Sequence, residues 1–200
     1  ERDAERFHFI AADASLPETP GAVRDEVVER FGKVDVLVNG VGVNSSTPFA
    51  EIEEAEMVDI FDKNFFFAAR CCQAFVPALT ETSGSIINVG SITGLSPLSK
   101  VFMYGSSKAA LSNLSQNLAR EYGEKLRVNL LIPGFFPAEQ NRKILSKERT
   151  ATIMEHTPAN RFGDPQELVP VCILLASRAA SSFINGAEIV VDGGFAATKI

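Results

Sequence analysis

Residues 85–133 read SIINVGSITGLSPLSKVFMYGSSKAALSNLSQNLAREYGEKLRVNLLIP, and their pattern is the strongest indication of fold class in the chain. Two short apolar runs, Ser85 to Val89 and Arg127 to Ile132, have the length and composition of buried strands. Between them, an amphipathic stretch from about Tyr104 to Tyr122 has a helical pattern that Gly123 ends. A strand, a helix and a strand in this order predict a β-α-β unit with parallel strands.

The same alternation continues on both sides of this unit. Further strands are predicted at Phe7 to Ala12, Val34 to Val38 and Ala187 to Val191. Further helices are predicted around Val23, Val27 and Phe31, ending at Gly32, and at Glu53 to Leu79 and Gln166 to Ala176. No repeat or linker divides the chain, so residues 1–200 are expected to form a single α/β domain. The irregular region 135–162 is long enough to be a substrate lid.

Composition excludes several classes of protein. The 200 residues are 46% hydrophobic and 22% charged, which is typical of a globular domain and not of a disordered or disulfide-rich chain. The net charge of -6 and the lack of a basic block argue against a nucleic-acid partner. The longest uncharged stretch, Thr82 to Ser99, is too polar to span a membrane, and no signal peptide is recognisable, so a cytoplasmic location is expected. Three cysteines and two histidines have no metal-ligand spacing, and no metal site is expected.

Ligands in open α/β sheets bind beyond the carboxyl ends of the strands, which directs attention to the segments after Ala12, Val38, Val89 and Ile132. After Val38 comes Asn39-Gly40-Val41-Gly42, where the glycines would let the backbone approach a flat ligand closely. An ordinary strand-to-helix turn is the alternative. Asp13 likewise could contact a ligand or simply cap the following helix.

Tyr104 and Lys108 lie four residues apart on a predicted helix and therefore share one face. A free tyrosine has a pKa of about 10 and is a poor acid or base at neutral pH. An ammonium about 4 Å away, at an effective dielectric near 20, would contribute roughly 4 kcal/mol and move that pKa toward 7. The pair is a candidate for acid–base catalysis, and an exposed helix carrying an inert Tyr and Lys is the alternative.

Ser91 and Asn64 are two more candidates. Ser91 follows the predicted strand at Val89, where its hydroxyl could polarise a substrate carbonyl; a turn or capping serine is the alternative. Asn64 lies on an otherwise phenylalanine-rich helix, and a buried amide of this kind is more often structural than catalytic.

Taken in order, these residues resemble the short-chain dehydrogenase/reductases, which transfer hydride between NAD(P) and an alcohol or carbonyl. The matching positions are Asp13, Asn39-Gly40-Val41-Gly42, Asn64, Ser91, Tyr104-x-x-x-Lys108, Pro133-Gly134 and Asp192-Gly193-Gly194. The resemblance implies a Rossmann-type doubly wound parallel sheet, NAD or NADP as cofactor, a small-molecule substrate and a homo-oligomer, either a dimer or a tetramer.

The resemblance also implies roles for individual residues. Tyr104 would be the catalytic acid/base, and Lys108 would lower its pKa and hold the nicotinamide ribose. Ser91 would bind the substrate oxygen, and Asn64 would position a proton-relay water. Together with Tyr104 and Lys108, the cofactor contacts are expected from Asp13, Ala14, Asn39, Gly40, Val41, Gly42, Pro133, Gly134, Phe135 and Phe136.

The chain also departs from the family pattern. The family's first strand, its glycine-rich turn and its second strand have no counterpart here, so the first β-α-β-α portion, roughly 50 residues, is expected to be absent. These residues would hold the pyrophosphate and would distinguish NAD from NADP. Weak cofactor binding by the present residues alone is therefore expected, and the cofactor choice stays open.

The segment Pro133 to Arg142 resembles sugar-acid members that act on mannonate or fructuronate. Arg142 could hold a carboxylate through two parallel hydrogen bonds, and Gln140 and Asn141 could bind hydroxyl groups. A solvated arginine is an equally good interpretation. The other functions that stay open are a gluconate or 3-oxoacyl type of reductase and a catalytically silent subunit.

Overall fold

The computed structural model describes residues 6–137 and 146–198. Within this part of the chain, four parallel strands form one sheet in the order β1-β2-β3-β4. The strands are β1 (Val36–Asn39), β2 (Ser85–Val89), β3 (Arg127–Pro133) and β4 (Glu188–Val191). The helices are α1 (Thr19–Phe31), α2 (Glu54–Phe61), α3 (Phe67–Glu81), α4 (Phe102–Tyr122), α5 (Lys147–Glu155), α6 (Val169–Ala176) and α7 (Arg178–Ser181). The predicted parallel α/β sheet is thus confirmed.

Helices cover both faces of the sheet. On one face, Ile86 of β2 and Val128 of β3 pack against Phe75 and Leu79 of α3. On the other face, Ile87 of β2 and Leu131 of β3 pack against Leu175 of α6. Because parallel strands buried on both faces are mostly apolar, β2 and β3 are visible in the sequence as predominantly hydrophobic runs, interrupted by the buried Asn88 and Asn129.

Most predicted boundaries are confirmed to within two residues. β2 has the bounds predicted for it, and α4 begins two residues before Tyr104 and ends at Tyr122. Helix α1 ends at Gly32, whose φ of 78° is left-handed and whose N–H donates to the carbonyl oxygen of Val28 at 2.8 Å. A residue with a Cβ adopts this conformation only at a cost, so the glycine is the natural end of the helix.

The predicted strand at Phe7 to Ala12 is wrong. These residues have no regular secondary structure, and the side chains of Phe7 and Phe9 are 73% and 87% exposed. A strand is stable only when a neighbour accepts and donates its backbone hydrogen bonds, and no described strand lies beside this segment. β-propensity alone was therefore an insufficient signal.

The predicted helix from Glu53 to Leu79 is interrupted by one π-helical turn. Residues Asp62–Phe66 form this turn between α2 and α3, and the N–H of Phe67 donates to the carbonyl oxygen of Asp62, five residues back. Such a π-bulge adds one residue to a helix and is frequent at functional sites. Asn64 lies in the bulge and is fully buried.

Region 135–162 contains helix α5 and otherwise irregular backbone where it is described. The candidate substrate residues Gln140, Asn141 and Arg142 lie outside the described residues. No helix within residues 6–137 and 146–198 is long and apolar enough to cross a membrane.

Candidate active site

A cleft of about 250 Å³ opens at the carboxyl ends of β1, β2 and β3. We refer to it as the catalytic cleft. Ser91, Tyr104 and Lys108 all line it, although they come from two different elements of the chain. Its other lining residues are Gly40, Gly42, Asn44, Val89, Gly90, Ile92, Thr93, Leu98, Val101, Pro133, Gly134, Phe135 and Arg149. The three side chains that the sequence predicts to converge therefore lie in one cleft.

Ser91 is held in place by a short turn that follows β2. Its Oγ accepts hydrogen bonds from the N–H of Thr93 at 3.2 Å and from Thr93 Oγ1 at 2.9 Å, which caps the 3₁₀ turn Ile92–Gly94. Both of these bonds use the acceptor side of the hydroxyl, so its proton remains available for donation. Ser91 therefore caps this turn and also lines the cleft.

Tyr104 lies in the first turn of α4. Burial raises the pKa of its phenol, because a low-dielectric environment disfavours the phenolate, while a hydrogen bond with Ser91 acts in the opposite direction. The expectation that Lys108 lowers this pKa is not met. Lys108 Nζ lies 5.8 Å from the centroid of the Tyr104 ring and donates to the carbonyl oxygen of Val89 at 2.8 Å. The ammonium is thus bonded to a backbone carbonyl, and the effect of burial on the phenol pKa prevails over that of the hydrogen bond with Ser91.

Lys108 is itself buried, with 4% of its surface exposed. Burial lowers its pKa from 10.5 to about 8, because the charged ammonium loses hydration. An ammonium carries three N–H donors, and the bond to Val89 uses one of them. Lys108 is therefore a cation with free donors at the floor of the cleft.

Asn64 connects the loop after β1 to helix α4. Its Oδ1 accepts from the N–H of Val43 at 2.7 Å, and its Nδ2 donates to the carbonyl oxygen of Val43 at 2.9 Å and to Ser107 Oγ at 3.1 Å. Ser107 in turn donates to the carbonyl oxygen of Tyr104 at 2.7 Å. Both amide hydrogens are thus used, and Oδ1 retains one acceptor position for a water molecule.

Two expected cofactor contacts have other partners in the structure. Asn39 is 7% exposed, and its Nδ2 donates to Asn88 Oδ1 at 2.8 Å inside the core. The Asp13 side chain accepts from the N–H of Ser15 at 2.8 Å and from Ser15 Oγ at 2.7 Å, within the turn that precedes α1, and it does not cap that helix. Neither side chain lines the catalytic cleft within the described part of the chain.

Of the other residues expected to contact the cofactor, five line the catalytic cleft and three do not. Gly40, Gly42, Pro133, Gly134 and Phe135 line the catalytic cleft. Ala14 and Val41 are not among its lining residues, and Phe136 lines a separate cavity of about 100 Å³.

Two glycines form part of the wall of the cleft, and at Gly134 a larger residue would clash with backbone. A Cβ on Gly134 would lie 2.7 Å from Asp192 Cα, closer than real side chains approach backbone. A Cβ on Gly42 would lie 3.2 Å from Asn64 Oδ1 and 3.4 Å from Lys108 Nζ. The backbone therefore borders the cleft directly at both points.

A second space of about 640 Å³ adjoins the catalytic cleft, and we refer to it as the outer cavity. Both spaces are lined by Leu98, Phe135 and Arg149. The outer cavity is also lined by Ser46, Ser99, Lys100, Ser146, Glu148, Thr152, Ile153, His156 and Phe195. Sequence reasoning missed Arg149, although it lies inside the region predicted as a lid, because one cation on a polar helix has no distinctive spacing.

Within the described residues, no three His, Cys, Asp or Glu side chains lie close enough together to hold a metal ion. The chemistry available to the cleft is that of a phenol, a hydroxyl and an ammonium.

Comparison with known proteins gives consistent matches along the chain. A family model described as enoyl-(acyl carrier protein) reductase matches residues 1–196. The 3-oxoacyl-[acyl-carrier-protein] reductase FabG of Vibrio cholerae is 32% identical over 92% of this chain and 76% of its own length. The 2-dehydro-3-deoxy-D-gluconate 5-dehydrogenase of Dickeya dadantii is 31% identical over 96% of this chain and 77% of its own length.

Solved structures agree with these relatives. The gluconate 5-dehydrogenase from Burkholderia cenocepacia, in complex with NADP and tartrate, has a TM-score of 0.89 and 28% identity, covering 94% of this chain and 74% of that protein. Other solved structures of the same fold hold NAD or NADP.

Proposed function

Because this chain belongs to the short-chain dehydrogenase/reductase family, a family of NAD(P)-dependent oxidoreductases, we propose that it interconverts a carbonyl and a secondary alcohol on a polyhydroxy acid. Fructuronate and mannonate represent the substrate class. The observation that carries this proposal is the convergence of Ser91, Tyr104 and Lys108 in one cleft at the carboxyl ends of the strands.

The cleft fits the nicotinamide part of NAD or NADP. The Gly42 backbone and Gly134 border it without side chains, so a flat ring can approach closely. Lys108 has two free N–H donors that would hold the ribose hydroxyls. When bound, the nicotinamide supplies or accepts a hydride at the substrate carbon.

Side chains of the protein bind the substrate oxygen and transfer its proton. Ser91 donates a hydrogen bond to the carbonyl oxygen and polarises it. Tyr104 is protonated at neutral pH, because an ordinary phenol has a pKa of about 10 and burial raises that of Tyr104, so it donates a proton to that oxygen when the carbonyl is reduced. In the oxidative direction the same phenol must first lose its proton, and the hydrogen bond with Ser91 favours this step because it stabilises the phenolate.

Asn64 helps to hold Tyr104 and Lys108 in position. Through Ser107 it is connected to the backbone carbonyl of Tyr104, and through Val43 to the loop that borders Lys108. Its free acceptor position suits a water molecule that passes the proton onward.

The preference for a polyhydroxy acid is supported by relatives and by the outer cavity. Similar proteins act, by their names, on gluconate derivatives, and one solved relative binds tartrate. The cavity combines hydroxyl groups from Ser46, Ser99 and Thr152 with the cation of Arg149. Hydroxyl and carboxylate groups find partners in such a wall.

Reduction of a 3-oxoacyl thioester is the second candidate function. The FabG relative favours it, as do the apolar side chains of Leu98, Ile153 and Phe195 on the wall of the outer cavity, which could contact an acyl chain.

An assay on the full-length protein separates the two candidates. The rates of NADH and NADPH oxidation are measured with fructuronate, 5-ketogluconate and an acetoacetyl thioester. We expect turnover of the keto acids to exceed that of the thioester. Turnover of the thioester alone would establish the second function, and no turnover of any carbonyl would contradict both.

We also propose that the chain forms a homo-oligomer. Ile173 on α6 is 63% exposed, and Phe183, between α7 and β4, is fully exposed, so both leave apolar surface uncovered in the single chain. Light scattering after size exclusion would show a dimer or tetramer, whereas a monomer would contradict the proposal.

A further inference from the structure

Arg149 is the one arginine that borders both the catalytic cleft and the outer cavity in the described part of the chain. Leu98 and Phe135 are the other residues that line both spaces. A molecule that reaches from Tyr104 toward the outer cavity therefore passes the side chain of Arg149.

The guanidinium of Arg149 has unused hydrogen-bond donors. Its Nη2 donates to the carbonyl oxygen of Ser99 at 3.2 Å. Among the described residues it forms no ion pair with a carboxylate. A guanidinium carries five N–H donors in a planar fork that matches a carboxylate, so an anionic ligand would find several of them free.

The contact to Ser99 also orients this side chain. Ser99 precedes Lys100, which has a left-handed φ of 63°. A residue with a Cβ adopts this conformation only where its surroundings hold it there. The carbonyl oxygen that anchors Arg149 thus belongs to a constrained turn, and one side of the guanidinium is fixed.

The charges on the wall of the outer cavity favour an anion. Arg149 and Lys100 are both cations, and Glu148 is the one carboxylate among the described lining residues. The four lining hydroxyl groups, from three serines and Thr152, can bind a polyol chain.

We propose that Arg149 binds the carboxylate of the substrate and thereby selects keto acids over neutral ketoses, an inference that rests on the proposed oxidoreductase function. The reacting carbonyl lies between Ser91 and Tyr104, and the carboxylate lies at the boundary between the cleft and the outer cavity. Arg149 is a specificity-determining residue in this scheme, and it takes no part in proton transfer.

Steady-state kinetics of the full-length protein test the proposal with two substrates. Fructuronate carries a carboxylate, and fructose is a neutral ketose. For Arg149→Leu, kcat/KM on fructuronate falls about 10- to 100-fold, mainly through KM, as expected for loss of a hydrogen-bonded charge pair. The value on fructose changes by less than about twofold. Arg149→Lys recovers part of the loss, because it keeps the charge without the planar fork.

Two controls define which results contradict the proposal. Arg120→Leu removes an exposed arginine of α4 and should leave both substrates unaffected. An equal loss on fructuronate and fructose in Arg149→Leu would indicate a structural role and overturn the inference. So would an unchanged KM for fructuronate, or a loss confined to Arg142→Leu.

A binding measurement keeps this inference separate from the proposed function. Calorimetric titration with gluconate and with the neutral polyol glucitol, in the presence of reduced cofactor, requires no turnover. Wild-type protein should bind gluconate more tightly than glucitol, and Arg149→Leu should abolish the difference. If no carbonyl is turned over, the proposed function fails while this difference still supports the carboxylate site. If turnover is normal but both proteins bind gluconate equally, or neither binds it, only the Arg149 inference fails.

Discussion

The catalytic cleft and the outer cavity are adjacent, but they are built from different kinds of structure. The cleft is formed by β2, β3 and α4, whose regular hydrogen bonding fixes Ser91 and Lys108 from below. The outer cavity is formed by the turn at Ser99 and by the nine-residue helix α5, and most of its polar side chains are partly exposed. The difference indicates that the chemistry depends on the rigid sheet and the choice of substrate on the irregular connections.

The largest effect should come from the phenol in the cleft. Tyr104→Phe keeps the ring and removes the proton donor, so kcat should fall about 10²- to 10⁴-fold, the contribution usual for a positioned acid. Steady-state rates measure this, with cofactor binding followed by fluorescence and expected to be unchanged. Tyr122→Phe alters the chain's other tyrosine, at the far end of the same helix, and is the matched control. Comparable rates in the two variants would remove Tyr104 from the mechanism.

Lys108→Met should increase the stability of the protein and decrease its activity. The shift of the Lys108 pKa from 10.5 to about 8 corresponds to about 3 kcal/mol of unfavourable burial at neutral pH. Losing the hydrogen bond to Val89 costs about 1 kcal/mol, so the variant should gain about 2 kcal/mol in its free energy of unfolding at pH 7. Activity should be largely lost, because the cofactor ribose loses the cation proposed to hold it.

The difference in free energy of unfolding between Lys108→Met and the wild type should decrease as the pH rises. Below pH 8 the lysine is protonated in both the folded and the unfolded chain, and the full cost of burial applies. Between pH 8 and pH 10.5 the unfolded chain binds more protons, so the wild type becomes more stable relative to the variant. Urea unfolding at pH 7 and pH 10 measures the gap, with the exposed Lys125→Met as control. A gap that widens at pH 10 would contradict the explanation.

Ser107→Ala should have an intermediate effect on the connection between Asn64 and Tyr104. Ser107 is fully buried, and its loss leaves one Asn64 hydrogen without an acceptor, which costs about 1–3 kcal/mol of stability. A moderate fall in kcat should accompany it, since Ser107 also donates to the carbonyl oxygen of Tyr104, which lines the cleft. Thermal unfolding and kinetics check both effects. If the neighbouring, exposed Ser106→Ala behaves identically, the bond has no special role.

Thr152→Val in the outer cavity should have the smallest effect. Thr152 is exposed and lines the cavity, so the free energy of unfolding should change by less than about 0.5 kcal/mol. KM for a keto acid should rise up to about fivefold, the equivalent of one neutral hydrogen bond. Thr150→Val on the same helix lines neither space and provides the comparison. A fall in kcat with unchanged KM would mean that this cavity influences the chemistry directly.

The sequence predicted the cleft better than the cavity for physical reasons. Strand β2, helix α4 and the Tyr104–Lys108 pair are encoded by local periodicity, so their mutual placement follows once the sheet is known to be parallel. The strand predicted at Phe7 to Ala12 was wrong, because strand formation depends on a neighbour that no local pattern reveals.

The position of Lys108 relative to Tyr104 could not be predicted closely either. The spacing of four residues places both on one face, but it does not reveal that Lys108 donates to the carbonyl oxygen of Val89 or that burial raises the pKa of Tyr104. The role of Arg149 depends on a turn distant in sequence, at Ser99, and no motif marks it. Contacts between distant segments decided both cases.

The π-bulge at Asp62–Phe66 restricts how this chain can change in length. The bulge accommodates one residue more than a regular helix would, so deleting one residue from it would restore a continuous α-helix and leave Phe75 and Leu79 on the sheet. The same deletion inside α3 would rotate everything beyond it by about 100°. Without the bulge, however, Asn64 would lose the backbone position from which it reaches Val43. Substitutions in α3 can be absorbed by repacking, but a single-residue gap in an alignment at this point would imply a different active-site loop.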